Sequence, residues 1–272
     1  MKKIFFALLL FCVPKIMFCQ KITEDNYKKA DATIWTNYEN ESAKVFELMQ
    51  NYPDKKDSLK AVLNQLFELA NRQNVDTAIK YVSVPSGLER LYMVRLNLDK
   101  DTLFSIFQTL PKEVQESDYG KSILLHINTE QIDEGSKYLD FKLSDSYGKE
   151  YKLSSLDGKV ILLLYNGLDC MGNSGREILK QIYNKTNRGN FEIVIYWSCR
   201  TLEELQKIRS DFSVDYIFVS DFQVDHSPFK ITYGCQAKPT CFLIDKKGVV
   251  YLKTVGLPEE KLIELLENNR FE

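Results

Sequence analysis

Hydrophobic positions recur with two different periods along this chain. From Thr23 to about Asn128 the spacing is helical. Leu59, Val62, Leu63, Leu66, Phe67 and Ala70 fall at i, i+3, i+4 and i+7, with Ser58 placed to cap the start. Leu103, Ile106, Phe107 and Leu110 form a second such run behind Asp101, the candidate cap, and Pro111 ends it. Residues 30–49 are a third, less regular candidate. These stripes are expected to be the core of a helical domain.

After a polar, acid-rich stretch around residues 128–137, short apolar runs alternate with amphipathic ones. Residues 142–153 read as a hairpin turning at Asp145-Ser-Tyr-Gly148, and Val160 to Tyr165 as a fully buried strand. Helices are expected over 176–183 and 202–212, with strands over 191–197 and 216–219. A hairpin turning at Asp245-Lys-Lys-Gly248 joins strands 240–244 and 249–254. Leu262 and Leu265 then mark a C-terminal amphipathic helix. Alternating strands and helices define an α/β fold, a mixed sheet with helices on its faces.

The chain's first residues add a compartment. Lys2 and Lys3 precede an apolar run from Ile4 to Val13, the pattern of an export signal. The run is shorter than the ~20 residues a membrane span needs. A periplasmic protein with no integral span in its mature form is therefore expected, and lipidation at Cys19 is the alternative. The expected organisation is a signal over 1–20, a smaller mainly helical domain over 21–128, a linker over 129–137 and the α/β domain over 138–272.

A formal net charge of −2 and the absence of a Lys/Arg cluster argue against a nucleic-acid partner. The helical half carries no Gly-rich loop, metal-ligand spacing or paired catalytic carboxylates, and no metal or other cofactor is expected. Of six cysteines, Cys170, Cys199, Cys235 and Cys241 lie beyond the export segment. Four thiols allow three pairings, and the sequence does not choose among them.

Cys170 holds the most suggestive position, between the buried run 160–164 and an amphipathic helix. Exposed N–H groups and the macrodipole at a helix N-terminus favour a thiolate, and the neighbouring Asp169 opposes it.

Four short signatures, in order, carry a family resemblance: Leu139-Asp-Phe141, Leu153-Ser-Ser-Leu-Asp-Gly-Lys-Val160, Cys170 itself, and Lys238-Pro-Thr-Cys-Phe-Leu-Ile-Asp245. The segment 138–269 thereby resembles exported thioredoxin-like thiol–disulfide proteins of the alkyl hydroperoxide reductase and thiol-specific antioxidant branch. The resemblance implies a thioredoxin-like sheet, Cys170 as the nucleophile and a cis-proline at Pro239. Protein or peptide thiols and disulfides are the implied partners.

The motif also departs from the family pattern. Asp169 replaces a tryptophan, Met171-Gly172 replaces the usual Gly-Pro pair, and Asn173 stands at the second cysteine. The family's acid three residues beyond falls on Arg176, or on Glu177 if one residue is inserted. Cys199 and Cys235 are candidate remote resolving thiols, and Asn173 and Glu177 are candidate supporting residues. The favoured reading is an oxidoreductase of reduced competence using one cysteine. A non-catalytic peptide-binding module is the alternative. A one-cysteine peroxidase lacks the Pro and Thr set that such chemistry needs before Cys170.

Overall fold

The computed structural model describes residues 21–268. The expected export signal and lipidation site at Cys19 lie outside them. No described helix is long and apolar enough to cross a membrane. The chain divides into two compact units after Gly87, ahead of the polar stretch that suggested a boundary.

The first unit is built on two long helices, α1 (Glu24–Asn51) and α2 (Lys56–Lys80), joined by a turn of 3-10 helix at Pro53–Lys55. Thr23 caps α1 by accepting from the Asn26 N–H at 3.3 Å, satisfying one of the orphan donors at the helix start. The seam holds Tyr27, Ile34 and Val45 from α1 and Ala70 and Ala78 from α2. Tyr27 also meets Tyr81 edge-on, at 5.9 Å between ring centroids.

Two expectations fail in this unit. Ser58 does not cap α2, because the helix starts earlier, at Lys56, and the Ser58 hydroxyl donates to the Lys55 carbonyl from inside the first turn. The Leu59–Ala70 stripe is not a closed core either. Leu59, Leu63 and Leu66 are half-buried, and Val62 and Phe67 remain 39% and 48% exposed. A helix with a single neighbour can cover only the centre of such a stripe.

The second unit takes in four further helices before the sheet: α3 (Pro85–Val94, which straddles the division), α4 (Lys100–Gln108), α5 (Lys112–Gln115) and α6 (Asp118–Asn128). Asp99, not Asp101, caps α4, because its carboxylate is the one that reaches the Thr102 N–H, at 2.7 Å. The polar stretch 129–137 is pinned rather than loose. Ile132 N–H donates to Thr232 O, Gly135 N–H donates to Val250 O, and Lys137 bridges to Val249.

The sheet contains β1 (Leu143–Asp145), β2 (Glu150–Tyr151), β3 (Val160–Tyr165), β4 (Phe191–Tyr196), β5 (Ile217–Ser220), β6 (Thr240–Ile244) and β7 (Val250–Val255). Their spatial order is β2-β1-β5-β4-β3-β6-β7. β3, β4 and β5 run parallel, while β6 and β1 pair antiparallel to β3 and β5. This is the mixed sheet that the alternating pattern implies.

Helices α7 (Gly172–Lys185), α8 (Leu202–Phe212), α9 (Pro228–Thr232) and α10 (Glu259–Glu267) complete the unit. Side chains alternate across a strand, so β3 feeds two cores. Val160, Leu162 and Leu164 pack with Leu179 of α7 and Leu262 of α10. Ile161, Leu163 and Tyr165 pack with Phe229 and Tyr233 on the other face. Both faces being covered explains why β3 and β4 are buried at every position.

Candidate active site around Cys170

The site forms where β3 leaves the sheet. Asn166 turns the chain with φ +53°, and Gly167 follows at φ +99°. Asn tolerates the left-handed region better than most residues, and its side-chain oxygen accepts from the Ser198 N–H at 2.9 Å. Gly167 is required for a second reason. A Cβ there would lie 2.4 Å from Pro239 Cβ, well inside van der Waals contact.

The Gly167 carbonyl then gathers the next turn, accepting from the backbone N–H of Cys170 at 3.2 Å and of Met171 at 3.0 Å. The chain enters α7 at Gly172, with no side chain capping the helix start. Cys170 is thereby exposed at the mouth of α7. Its Sγ lies 3.2 Å from the Lys238 carbonyl and 3.5 Å from that of Gly167.

The Lys238–Pro239 bond is cis, in keeping with the sequence expectation, and it brings Cys170 and Pro239 together. The Lys238 side chain is exposed. Thr240 donates its hydroxyl to Ala237 O at 2.8 Å, and Gly256 N–H donates to Pro239 O at 2.9 Å. Both bonds hold the proline loop in place.

A buried clamp supports the same loop. Arg95, fully buried just after α3, donates from Nη1 to the Gln236 side-chain oxygen at 2.7 Å and to the Tyr92 carbonyl at 2.8 Å. Its guanidinium stacks 4.1 Å over the Tyr92 ring. Nε and Nη2 have no hydrogen-bonding partner among the described residues, and desolvation of this charge pulls the Arg95 pKa down.

The remaining predicted residues are placed differently. Asn173 accepts from Arg176 Nη2, and Arg176 Nη1 donates to Leu168 O at 2.8 Å. Arg176 thus ties the first turn of α7 to the loop before it. Glu177 is exposed and lines a cleft of about 600 Å³ with Asp169, Arg176, Lys180, Asp211 and Asp215.

Cys199 follows β4, which runs parallel to β3, but it is buried and its thiol lies 3.6 Å from Thr201 O. Burial pushes its pKa up. Cys235 is completely buried in the core of the opposite face, with its pKa raised further by desolvation. Cys241 is buried on β6 and pushed up to about 12. All four cysteines are free thiols, and Cys170 alone of them is exposed.

Sequence reasoning missed Asn166, Gly167, Arg95 and Gln236 as site-forming residues. The first two carried a signal, since an Asn-Gly pair after an apolar run marks a turn. The other two carried none, because their pairing spans 141 residues.

Fold and site together define a thioredoxin-like domain. The AhpC/TSA family model matches residues 135–253, so this part of the chain is similar to that family. A search of the curated proteins finds no match.

Among solved structures, the chain is similar to the thioredoxin domain of a thiol-disulfide oxidoreductase from Bacteroides vulgatus, at 21% identity and TM-score 0.43, covering 51% of this chain and 99% of that one. It is similar to a thiol-disulfide oxidoreductase from Bacteroides fragilis at 18% identity and TM-score 0.42, covering 48% and 99%. A thiol peroxidase from Chromobacterium violaceum matches at 15% identity and TM-score 0.41, covering 52% and 90%.

Proposed function

We propose that this protein is an exported thiol–disulfide oxidoreductase of reduced competence that works through Cys170 alone. The observation that carries the reading is the exposed Cys170 sulfur, 3.2 Å from the backbone carbonyl that precedes cis-Pro239. Protein or peptide disulfides are the proposed substrates, and the acid-rich cleft beside Asp169 favours chains with basic residues near the disulfide.

Disulfide exchange proceeds by attack of a thiolate on a disulfide sulfur. The Cys170 thiolate forms an S–S bond to one substrate sulfur, and the substrate's other sulfur leaves as a thiolate. A dithiol motif would expel the substrate with its second cysteine, but Asn173 has no sulfur to attack with. Cys199 and Cys235 are buried and favour the protonated form, which removes them as fast resolving thiols.

The mixed disulfide is instead resolved by a thiolate of the substrate itself, which regenerates Cys170 and leaves a rearranged disulfide. No electrons are gained or lost overall, so isomerisation is the reaction this site suits best. Net reduction requires an external thiol such as glutathione.

Refolding of a scrambled, disulfide-bonded test protein checks the reading. The wild type is expected to accelerate recovery and to yield a trapped adduct at Cys170 by mass spectrometry, both lost in Cys170→Ser with the fold intact. Equal recovery with the two proteins and no adduct would leave only a peptide-binding role.

A further inference from the structure

Arg95 buries its whole guanidinium, yet among the described residues no carboxylate accepts from it. Its acceptors are two neutral oxygens, those of Tyr92 and Gln236, and its Nε and Nη2 are unsatisfied. The carboxylate of Asp225 is taken by Lys230, at 2.5 Å. A buried charge without a charged partner is costly, and a hydrocarbon side chain of similar size is often tolerated better in such a place. Packing alone therefore does not account for a guanidinium here.

What it holds is Gln236. The two ends of that side chain are gripped by one short segment: its oxygen accepts from Arg95 Nη1 at 2.7 Å, and its nitrogen lies 3.2 Å from Met93 Sδ. Gln236 stands two residues before Lys238, whose carbonyl is 3.2 Å from the Cys170 sulfur. Two residues span at most about 7 Å, so a displacement of Gln236 passes to Lys238 with little slack. The other anchors of the loop, the Thr240 hydroxyl on Ala237 O and the Gly256 N–H on Pro239 O, both come from beyond the proline. Without the Gln236 bond the loop would be held from that side only.

We propose that Arg95 is a positioning residue for disulfide exchange at Cys170. Through Gln236 it fixes the Lys238 backbone, the surface against which a polypeptide disulfide lies as it approaches the sulfur. Resting on the oxidoreductase reading above, this role adds a dependence on substrate size. A polypeptide has to fit both the sulfur and the loop 3.2 Å away, whereas a small disulfide needs only an exposed sulfur.

Adduct formation at Cys170, followed with dithiodipyridine and with a scrambled, disulfide-bonded protein, tests this role. Because Arg95 is buried, the substitutions are made at the half-buried Gln236. Gln236→Leu keeps the volume and removes the acceptor, while Gln236→Glu keeps an oxygen for Arg95. With the protein substrate, Gln236→Leu is expected to react about tenfold more slowly than the wild type, and Gln236→Glu within about twofold of it. With dithiodipyridine all three proteins are expected to react alike. A Gln236→Leu variant that matches the wild type on both probes overturns the proposal and leaves the clamp a structural contact. Equal slowing on both probes overturns it too, because the change then lies at the sulfur or in the fold. So does equal slowing of the two variants with the protein, since the bond to Arg95 would then not be what counts. A wild type inert toward the protein is a different failure: it removes the oxidoreductase reading, and this role with it.

Discussion

β3 and α2 both carry recurring apolar residues, and they meet opposite fates. All six residues of β3 are buried, while α2 buries only Ala70, Asn74 and Ala78 of its twenty-five. The difference lies in neighbours rather than in composition. β3 has a strand on each side and a layer of side chains on each face. α2 is paired with α1 and keeps the flanks of its stripe open to water. A hydrophobic period therefore reports which face seeks cover, and the number of packing partners decides whether it finds cover within one chain.

Truncation inside the sheet should show the larger side of this contrast. Phe191, fully buried in β4, packs in the core shared with Leu179 and Leu262. Phe191→Ala is expected to cost about 3–5 kcal/mol, because a cavity remains in a close-packed interior. Urea unfolding checks it, and a loss below 1 kcal/mol would mean that the sheet domain repacks as loosely as the hairpin.

Acid should weaken the second unit as well. His126 is buried in α6, and desolvation first, then the charges of Arg95 and Lys100, push its pKa down from 6.5 to about 4. In the folded protein it stays neutral at a pH where the unfolded chain takes up a proton. The stability it supports is therefore complete above about 6.5 and is lost as the pH falls toward 4, on the order of 3 kcal/mol in all. Carboxylates titrate in the same window, so the measurement is a difference. His126→Asn should depend less steeply on pH between 6.5 and 4 than the wild type, by up to about 1.4 kcal/mol per unit. Parallel curves for the two proteins would rule out His126 as an acid-sensitive group.

At the site the expected effect is smaller in energy and more specific in consequence. Gly167→Ala must adopt φ +99° and push against Pro239. A destabilisation of about 1–3 kcal/mol is expected, together with slower adduct formation at Cys170, whose distance from the Lys238 carbonyl is set by this turn. Unchanged adduct kinetics in a destabilised variant would show that the Gly167–Pro239 contact supports folding without positioning the sulfur.

Much of this architecture is legible in the sequence. Strand β3, helix α8, strand β6 and both hairpin turns fall where periodicity and turn residues put them, because each is specified by neighbours in the chain. The juxtaposition of Cys170 with Pro239 came from an ordered set of family signatures, not from periodicity. Less legible is whatever depends on distant partners. α7 begins at Gly172, one turn before its apolar spacing becomes visible, and α3 and α6 escaped notice. The Arg95–Gln236 clamp and the burial of Cys199 and Cys235 arise only when the sheet assembles. The stripe on α2 was legible as apolar, but its exposure was not, since spacing marks the face and not how much of it is covered.

The mildest substitution therefore probes the contrast most closely. Leu69 on α2 is 46% exposed, so the fold gains little from its side chain. Leu69→Ala should change stability by less than about 0.5 kcal/mol, as at an ordinary surface position. Urea unfolding of wild type and variant measures the difference. A loss near the ~2–5 kcal/mol of a buried leucine would show Leu69 to be covered after all, and the contrast with β3 would break.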